Sequence, residues 1–275
     1  MSPSEYNDPQ AYWEQRLSSQ FGLRGVGYAT LGVSYNHYLY QARFRALERL
    51  LKKSGLGLRG KRVLEIGCGT GIYTERCRRY GVASYTGVDL TQVSVRNLAS
   101  QYPEFQFMQA DTSDTAFPVR EAFDIVLVAD VLFHIVDDNQ FAAAVANISR
   151  CVAPDGSLIL SDLLTSSTLQ TASHCRFRSL ASYSSALAEH GLQVRHVEPI
   201  FGVLHPPVPV PGASVQWQIC ALIWRYVLLP FARYRWFDRL VPAFLSSLDE
   251  RLVLRKSSPA IPNTKWLIAG RRDVA

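Results

Sequence analysis

The sequence has no block of five or more like charges, although its formal net charge is +6 over 275 residues. Its 24 arginines and 5 lysines are scattered along the chain, so a polybasic arm of the kind that binds nucleic acid is missing. It also has no internal repeat, low-complexity tract or added RNA-binding module. These absences disfavour a nucleic-acid substrate, and we predict no nucleic-acid partner.

The sequence also lacks a cysteine pattern. Its cysteines are odd in number, widely spaced and without a Cys-x-x-Cys pair, which argues against a disulfide framework and a zinc site, so no metal site is predicted. The first residues are polar and lack the basic-then-apolar order of a secretory signal peptide. Together these features predict a protein of the reducing cytoplasm. The cysteines are Cys68, Cys77, Cys151, Cys175 and Cys220.

A long uninterrupted apolar run is missing as well. The most apolar segment, 217–237, contains Arg225 and is interrupted by Pro230, so it is too short and too charged to span a bilayer. Its apolar residues nevertheless recur at helical spacing. Three interpretations remain open: a lid over an apolar substrate pocket, a contact in a homodimer, or an interfacial helix on a membrane surface.

From Lys61 onward, short apolar runs alternate with longer amphipathic segments, which indicates βα units and a parallel sheet. The run 123–129 is apolar on both faces, as expected of a central parallel strand. The predicted strands are about 63–66, 85–89, 105–109, 123–129, 157–162, 193–199 and 264–272, and the predicted helices about 36–53, 72–80, 91–101, 139–152 and 179–190.

The strongest motif is VLEIGCGTG, at 63–71. A buried strand carries Glu65 and then opens into a Gly-x-Gly-x-Gly turn before a helix, and glycines permit a tight turn whose backbone approaches a ligand closely. A dinucleotide-binding dehydrogenase would place its third small residue one position later, where this sequence has Ile72. The motif therefore indicates a nucleotide-like cofactor but disfavours an oxidoreductase.

Three further signals follow the next strands of the predicted sheet. Asp89 ends the second strand, 22 residues after Gly67, where an acid can accept hydrogen bonds from both ribose hydroxyls. Asp111 follows the third strand, where it could bind an adenine amino group or cap the next turn through an Asx hydrogen bond. Asp130 and His134 follow the fourth strand, near the crevice expected at the point where the strand order reverses.

With these motifs the sequence resembles the class I, Rossmann-like, S-adenosylmethionine-dependent methyltransferases, in their small-molecule branch. The resemblance covers about residues 61–200 and the final strand. It implies an α/β fold with a doubly wound, seven-stranded, mostly parallel sheet whose last strand is antiparallel. The implied organisation is an N-terminal helical and aromatic cap at 1–58, a Rossmann-like core at 59–201, an apolar helical insertion at 202–262 and the last strand of the core sheet at 263–275.

The resemblance also implies S-adenosyl-L-methionine as the cofactor and gives residues a role toward it. Glu65 and the glycine turn would line its methionine and ribose side, Asp89 would hold the ribose hydroxyls, and Leu90 would pack on adenine. Asp111 with Thr112 would bind the adenine edge, whereas Ala129 and Asp130 would lie beside the transferable methyl group. One residue of the stretch 35–43 would contact the cofactor's carboxylate, and the candidates are Tyr35, Tyr38, Tyr40 and Arg43. The predicted cofactor-binding set is Glu65, Gly67, Cys68, Gly69, Gly71, Asp89, Leu90, Asp111, Thr112, Ala129 and Tyr35.

Methyl transfer from a sulfonium mainly requires that the acceptor is aligned and that water is excluded, because the leaving group is already activated. For a hydroxyl acceptor a neutral histidine could take the proton, and the candidates are His134 and His174, with His205 as a third. His134 could instead begin the next helix, and His174 could lie in a solvated basic loop. Arg176 and Arg178 could bind an anionic or phenolic acceptor.

The aromatic-rich flanks favour a lipophilic or aromatic acceptor. The fourth strand ends in ADVLF rather than the Asn/Asp-Pro-Pro-aromatic sequence that grips a planar amide or exocyclic amino group, which disfavours adenine-N6 and glutamine methylation. The sequence therefore predicts O-methylation of a small-molecule substrate in secondary metabolism. The alternatives are N- or C-methylation of an aromatic or indole-type metabolite, and a non-transferase role as a cofactor-binding cyclase or interaction subunit.

Overall fold

The chain forms nine strands and nine α-helices within the residues that the structure describes. In the computed structural model these residues are 8–208, 210–253, 261 and 263–271. The strands are β1 Arg62–Ile66, β2 Ser84–Asp89, β3 Gln106–Gln109, β4 Phe123–Ala129, β5 Val152–Asp162, β6 Leu169–Ala172, β7 Cys175–Phe177, β8 Leu192–Pro199 and β9 Lys265–Arg271. The helices are α1 Pro9–Ser19, α2 Leu23–Val26, α3 Val33–Ser54, α4 Ile72–Tyr80, α5 Gln92–Gln101, α6 Asp138–Arg150, α7 Leu180–Glu189, α8 Val215–Ile223 and α9 Arg235–Leu248.

Seven of the strands form one sheet in the order β3-β2-β1-β4-β5-β9-β8. The first five of these are parallel to one another, and β9 runs antiparallel to both of its neighbours. The order reverses between β1 and β4, and ligands of open α/β sheets bind beyond the carboxyl ends of the strands at such a point. The predicted doubly wound, mostly parallel sheet with an antiparallel last strand is confirmed.

Two separate hydrophobic layers cover the two faces of this sheet. Successive side chains of a strand point to opposite faces, so Val63 of β1 belongs to the layer with α3 and α4, and Leu64 to the layer with α6 and α7. Ile125 and Val126 of β4 divide in the same way. Burial on both faces explains why these strands appear in the sequence as continuous apolar runs.

Helix α3 joins the N-terminal segment to the sheet. It packs on β8, β9 and α9, and its C-terminus is closed by Gly55 in the left-handed conformation at φ +69°. The buried carboxylate of Glu198 in β8 accepts hydrogen bonds from Arg49 Nε at 2.8 Å and Lys53 Nζ at 2.6 Å. These contacts fix α3 beside the sheet edge, so that its other side can face the carboxyl ends of the strands.

Helix α1 is absent from the helices predicted from the sequence, the first of which begins at about residue 36. Asp8 caps its first turn and Pro9 occupies its first position, and both are favourable at a helix start. The carboxylate of Glu14 accepts hydrogen bonds from the backbone N–H groups of Gln92 at 2.7 Å and Val93 at 3.0 Å. Helix α1 is thereby tied to the N-terminus of α5.

The insertion between β8 and β9 is helical, as its sequence spacing predicts. Helix α8 continues into a π-helical turn, Trp224–Leu228, and a 3₁₀ turn, Leu229–Phe231, before α9. The carboxylate of Asp249 anchors the insertion by accepting hydrogen bonds from three consecutive backbone N–H groups, those of Gly202, Val203 and Leu204. No helix in the described ranges is both long and apolar enough to cross a membrane.

Parts of the predicted segments fall outside the described residues. These parts are 1–7 of the cap, 209, 254–260 and 262 of the insertion, and 272–275 of the last strand.

Two further strand predictions need correction. Strand β5 begins at Val152 rather than at 157, because the pairing shifts register: Phe123 pairs with Val152, whereas Ile125 pairs with Ser157. The stretch that the sequence indicated as a loop before α7 contains the antiparallel hairpin β6–β7, which has an irregular register and no pairing to the main sheet. Its strands are too short to show an alternating pattern.

Candidate active site

A large cavity opens at the carboxyl ends of β1, β2 and β4. Its volume is about 1440 Å³, and its wall comes from the loops after these strands, from α1 and α3, and from the insertion. Pockets for one ligand usually measure roughly 300–1,000 Å³. The cavity therefore has room for a nucleotide-like cofactor together with a second molecule.

The glycine turn after β1 forms one wall of the cavity. Gly67, Gly69 and Gly71 have φ values of +74°, +51° and +78°, a conformation that other residues rarely adopt. A Cβ atom at Gly67 would lie 2.4 Å from Val131 Cγ2, and one at Gly71 would lie 2.5 Å from a leucine of α5. Gly67, Cys68 and Gly69 line the cavity, whereas Gly71 lies behind it and lets α4 start close to α5.

Asp89 ends β2 with its carboxylate in the cavity wall. Its Oδ2 accepts a hydrogen bond from Gly69 N–H at 2.7 Å, and its Oδ1 accepts from the backbone N–H and hydroxyl of Thr91 at 2.9 and 2.7 Å. Burial raises the pKa of Asp89, and the hydrogen bonds from Thr91 and Gly69 oppose that effect. A carboxylate offers about four lone-pair sites, so Oδ2 keeps one for a ligand hydroxyl. Leu90 follows in the cavity wall.

Asp111 and Thr112 line the cavity beyond the end of β3. One carboxylate oxygen of Asp111 accepts hydrogen bonds from the backbone N–H and hydroxyl of Ser113, at 2.8 and 2.7 Å. Asn147 donates a hydrogen bond of 2.9 Å to the carbonyl of Thr112 and so fixes this loop. The capping role and a ligand contact are compatible, because the cap uses one oxygen of Asp111.

Three buried hydroxyl groups in the cavity wall have no hydrogen-bond partner within the described part of the chain, those of Thr70, Tyr73 and Thr112. A buried hydroxyl without a partner costs about 1–3 kcal/mol, so such groups in a cavity wall indicate the polar atoms of a ligand. Thr70 and Tyr73 adjoin the glycine turn, and Thr112 lies at the end of β3. These two places fit the methionine and adenine ends of S-adenosylmethionine.

Glu65 is buried but also lines the cavity. The hydroxyl of Tyr85 donates a hydrogen bond of 2.5 Å to Glu65 Oε2, and Thr74 Oγ1 lies 2.8 Å from the same hydroxyl. Burial raises the pKa of Glu65 to about 8, with the hydrogen bond from Tyr85 acting in the opposite direction. The carboxyl is therefore mostly protonated at pH 7, and a cation placed in the cavity would favour its ionised form.

Asp130 and Arg43 form an ion pair in the cavity wall beyond the end of β4. Arg43 Nη1 lies 2.5 Å from Asp130 Oδ2, and Ser161 Oγ donates a hydrogen bond of 2.9 Å to Asp130 Oδ1. The Arg43 guanidinium also lies over the ring of Phe201, 5.1 Å from its centroid. Asp130 has a φ of +58°, which is uncommon outside glycine and is often found at functional sites.

Tyr35 does not line the cavity, which corrects its place among the cofactor-binding candidates. Its hydroxyl donates a hydrogen bond of 2.8 Å to the carbonyl of Leu204, and its ring stacks on Phe237 at 5.8 Å between centroids. Tyr35 therefore lies on the side of α3 that meets the insertion. Of the other candidates in 35–43, Tyr40 and Arg43 line the cavity. Tyr38 is not part of the wall.

The two histidines predicted as catalytic bases lie side by side in the cavity wall. Their rings are almost parallel, at an angle of 10° with 6.1 Å between centroids. His134 Nδ1 is 3.1 Å from the carbonyl oxygen of His174. Because a carbonyl only accepts hydrogen bonds, Nδ1 carries the hydrogen of the neutral ring and Nε2 the lone pair. Burial lowers the pKa of His134 to about 4 and also lowers that of His174, so both rings are neutral at pH 7.

Arg176 and Arg178 do not line the cavity, which corrects the expectation that they could bind an acceptor. Arg178, whose side chain is 3% exposed, donates hydrogen bonds of 2.9 Å to the carbonyl of Ile135 and to Asp138. Arg176 pairs with the same aspartate at 2.8 Å. Both arginines therefore hold the turn that follows His134.

The part of the cavity wall formed by the insertion, here named the apolar end, is mostly apolar, although Gln218 and Arg225 also line it. Trp217, Ala221 and Trp224 present one face of the α8 segment to it, and Trp224 Nε1 donates a hydrogen bond of 2.9 Å to the carbonyl of Val203. His205 also lines the cavity. Burial and then the charge of Arg43 lower the pKa of His205 to about 4. Within the described residues, the cavity thus holds three histidines that are neutral at pH 7.

Sequence reasoning missed the cavity wall on α1, which includes Trp13 and Arg16. The Trp13 ring meets the edge of the His134 ring at 4.9 Å between centroids. Arg16 lies over Trp13 at 5.2 Å and donates a hydrogen bond of 3.1 Å to the carbonyl of Gly27. The start signal of α1, an aspartate followed by proline, is present in the sequence and could have indicated this helix.

Comparison with known sequences gives a family match and partial relatives. The model of a family described as "Methyltransferase domain" matches residues 35–197. A ubiquinone biosynthesis O-methyltransferase of Aeromonas salmonicida is 33% identical over 129 residues, which are 46% of this chain and 52% of that protein. The Bradyrhizobium diazoefficiens protein of the same name is 34% identical over 132 residues, or 46% and 49%. The chain thus spans about half the length of the curated relatives it matches.

Comparison with solved structures gives a shared fold. The [4+2]-cyclase SpnF has a TM-score of 0.53 at 18% identity, covering 86% of this chain and 82% of that one. A complex of DhpI with SAH has a TM-score of 0.52 at 23% identity, covering 73% and 93%. The N-methyltransferase NodS of Bradyrhizobium japonicum WM9, also with SAH, has a TM-score of 0.52 at 20% identity, covering 71% and 92%.

Proposed function

The chain belongs to the methyltransferase-domain family, and we propose that it transfers a methyl group from S-adenosylmethionine to a hydroxyl oxygen of a small lipophilic or aromatic molecule. The observation that carries this proposal is the division of one cavity into two ends. One end is polar, around the glycine turn and Asp89, and the other is apolar, against the insertion. A nucleoside cofactor suits the first end and a lipophilic acceptor suits the second.

The polar end would hold the nucleoside part of the cofactor. The glycine turn lets the backbone approach it, and the remaining acceptor site on Asp89 Oδ2 would bind a ribose hydroxyl. Leu90 would pack on adenine, while Asp111 and Thr112 would bind the adenine edge. When bound, the cofactor supplies a methyl group on a sulfonium, which needs no further activation.

Two charged groups would hold the amino-acid part of the cofactor. Arg43 offers a guanidinium for the carboxylate, and Glu65 offers a carboxyl that ionises beside an ammonium. Asp130 keeps Arg43 in place. This assignment moves the carboxylate contact from Tyr35 to Arg43.

His134 is the proposed general base toward a hydroxyl acceptor. Its tautomer is set by the His174 carbonyl, so Nε2 has the lone pair that a proton transfer requires. Its ring is neutral at pH 7, and the ring of Trp13 packs against it. His174, whose ring lies parallel to that of His134, is the second candidate.

The names of the curated relatives support oxygen as the methylated atom and a hydroxylated aromatic ring as the acceptor. The wall of Trp217, Ala221 and Trp224 suits an apolar substituent on such a ring, with the insertion acting as a lid. The same names favour quinone biosynthesis over the secondary metabolism suggested by the sequence. A cytoplasmic location and a homodimer stay predictions.

The proposal is tested with methyl-labelled S-adenosylmethionine and three acceptors that carry the same alkyl chain: a catechol, an aniline and an indole. We expect label on the catechol oxygen, located by mass fragmentation. We also expect faster turnover of the alkylated catechol than of the same catechol without its alkyl chain. Label on nitrogen or on a ring carbon would instead support the N- or C-methylation alternative. If the protein binds the cofactor but yields no S-adenosylhomocysteine with any acceptor, a non-transferase role is favoured.

A further inference from the structure

The outer surface of the insertion carries a concentration of exposed apolar side chains. In the described part of the chain, all large exposed apolar residues except Phe21 and Val33 lie between 215 and 244. Leu240 and Phe244 of α9 are each 67% exposed. Such concentration in one segment differs from the single scattered apolar residues that are normal on a monomer. The set, here named the insertion surface, is Val215, Ile219, Leu222, Ile223, Tyr226, Val227, Phe231, Tyr234, Trp236, Leu240 and Phe244.

The charges interleaved with this surface are almost all positive. Asp238 is the one acidic residue in the sequence from 212 to 248, and it is turned inward. Its carboxylate accepts hydrogen bonds from the backbone N–H groups of Ser34 and Tyr35, at 3.2 and 2.8 Å. The outward charges are therefore cationic. They are carried by the exposed side chains of Arg225, Arg233, Arg235 and Arg239.

We propose that the insertion surface binds the interface of a bilayer that contains anionic lipids. The arginines complement phosphate headgroups, and the aliphatic and phenylalanine side chains would enter the boundary of the acyl chains. Tyr226, Tyr234 and Trp236 have the amphipathic rings that are enriched at the headgroup level of membranes. No helix among the described residues is both long and apolar enough to cross a bilayer, so the proposed contact is along its surface.

The position of the cavity agrees with this orientation. Leu222 and Arg225 are exposed and also line the cavity, so the cavity reaches the edge of the insertion surface. Trp217 and Trp224 of the same segment lie in the cavity wall. A lipophilic molecule dissolved in the bilayer would therefore reach the apolar end of the cavity without crossing water.

Vesicle sedimentation with the full chain tests the proposal and needs no enzymatic turnover. We expect binding to phosphatidylcholine vesicles that contain phosphatidylglycerol, weaker binding without it, and weaker binding as salt is raised. Leu240→Ser combined with Phe244→Ser should lower the partition constant on the order of tenfold or more. Arg233→Glu combined with Arg239→Glu should remove the preference for phosphatidylglycerol. Phe21→Ser and Arg120→Glu, exposed changes of the same kind elsewhere, should have no effect.

Three results would overturn the proposal. The first is no binding of the full chain to anionic vesicles. The second is an equal loss of binding in the Phe21→Ser and Arg120→Glu controls. The third is a dimer in analytical ultracentrifugation that dissociates with the Leu240→Ser and Phe244→Ser changes and does not bind vesicles, because the surface would then belong to a second copy of the chain.

Discussion

Replacement of Asp89 by alanine tests the cofactor site directly. The Asp89 carboxylate already accepts three hydrogen bonds, which leaves one site, on Oδ2, for a ligand hydroxyl. A hydrogen bond to a charged group contributes about 1.5–3 kcal/mol. Loss of one such bond predicts that S-adenosylhomocysteine binds roughly 10- to 150-fold more weakly to Asp89→Ala.

The same change also affects folding stability, and the two effects can be separated. Alanine leaves the backbone N–H groups of Gly69 and Thr91 without their acceptor, and a buried unpaired donor costs about 1–3 kcal/mol where water does not replace it. Asp89→Asn keeps an oxygen toward Thr91 but turns an amino group toward the Gly69 N–H. We therefore expect similar weakening of binding in Asp89→Asn with a smaller decrease in the free energy of unfolding.

Isothermal titration with S-adenosylhomocysteine measures the affinity, and denaturant unfolding measures the stability. The matched control is Asp124→Ala, which removes a carboxylate that pairs with Arg62 at 3.0 Å near the start of β4, the far end from the cavity. The control should bind like the original protein. Unchanged affinity in a folded Asp89→Ala protein would refute the assignment of Asp89 to the cofactor.

The other predictions concern the remaining parts of the site. Because burial raises the pKa of Glu65 to about 8, cofactor binding at pH 7 should release close to one proton. Calorimetry in buffers of different ionisation heat measures this release, and Glu65→Gln should abolish it. The raised pKa of Glu65 also contributes folding stability that is fully present below about pH 4.5 and is lost as the pH rises through about 8. The free energy of unfolding should therefore fall less between these pH values in Glu65→Gln than in the original protein. An equal decrease in both proteins would contradict the argument. His134→Gln should lower kcat by roughly 10²- to 10⁴-fold at unchanged cofactor affinity, and an equal loss in the control His205→Gln would reject His134 as the base. Trp217→Ala should raise KM for an alkylated acceptor without affecting S-adenosylhomocysteine binding, and a change in both would point to a structural role instead.

The α/β core could be predicted because its sequence signals are local. The strand 123–129 is apolar on both faces because both are buried, and the glycine turn is required by backbone conformations at positive φ. Asp89 could be located because it ends the strand next to that turn. Such features depend on neighbours in the sequence or on the pleat of one strand.

The side of α3 that faces the cavity could not be predicted in the same way. Tyr35 and Tyr40 are five residues apart, which places them about 140° apart around the helix. Aromatic residues occur on both sides because α3 is covered by the cavity wall on one side and by the insertion on the other. Hydrophobic periodicity does not distinguish two buried sides, so the sequence could not show that Tyr35 faces the insertion rather than the cavity.

Long-range partners explain the other differences. Helix α1 is short and polar, and it is held by hydrogen bonds that Glu14 accepts from backbone N–H groups almost eighty positions later. Arg178 resembles a solvated arginine in the sequence, but its partners include the carbonyl groups of the turn at 135–137 besides the carboxylate of Asp138. Backbone acceptors leave no trace in a sequence pattern, and these contacts became visible only in the folded chain.

The separate anchors of α1 and the insertion have a consequence for the order of turnover. Glu14 attaches α1 to α5, whereas Asp249 attaches the insertion to the loop after β8, so displacement of one cover would not require breaking the anchor of the other. A water-soluble product would then leave on the side of α1, and a lipophilic product would leave on the side of the insertion. Two separately anchored covers would give the two products different routes out of the cavity.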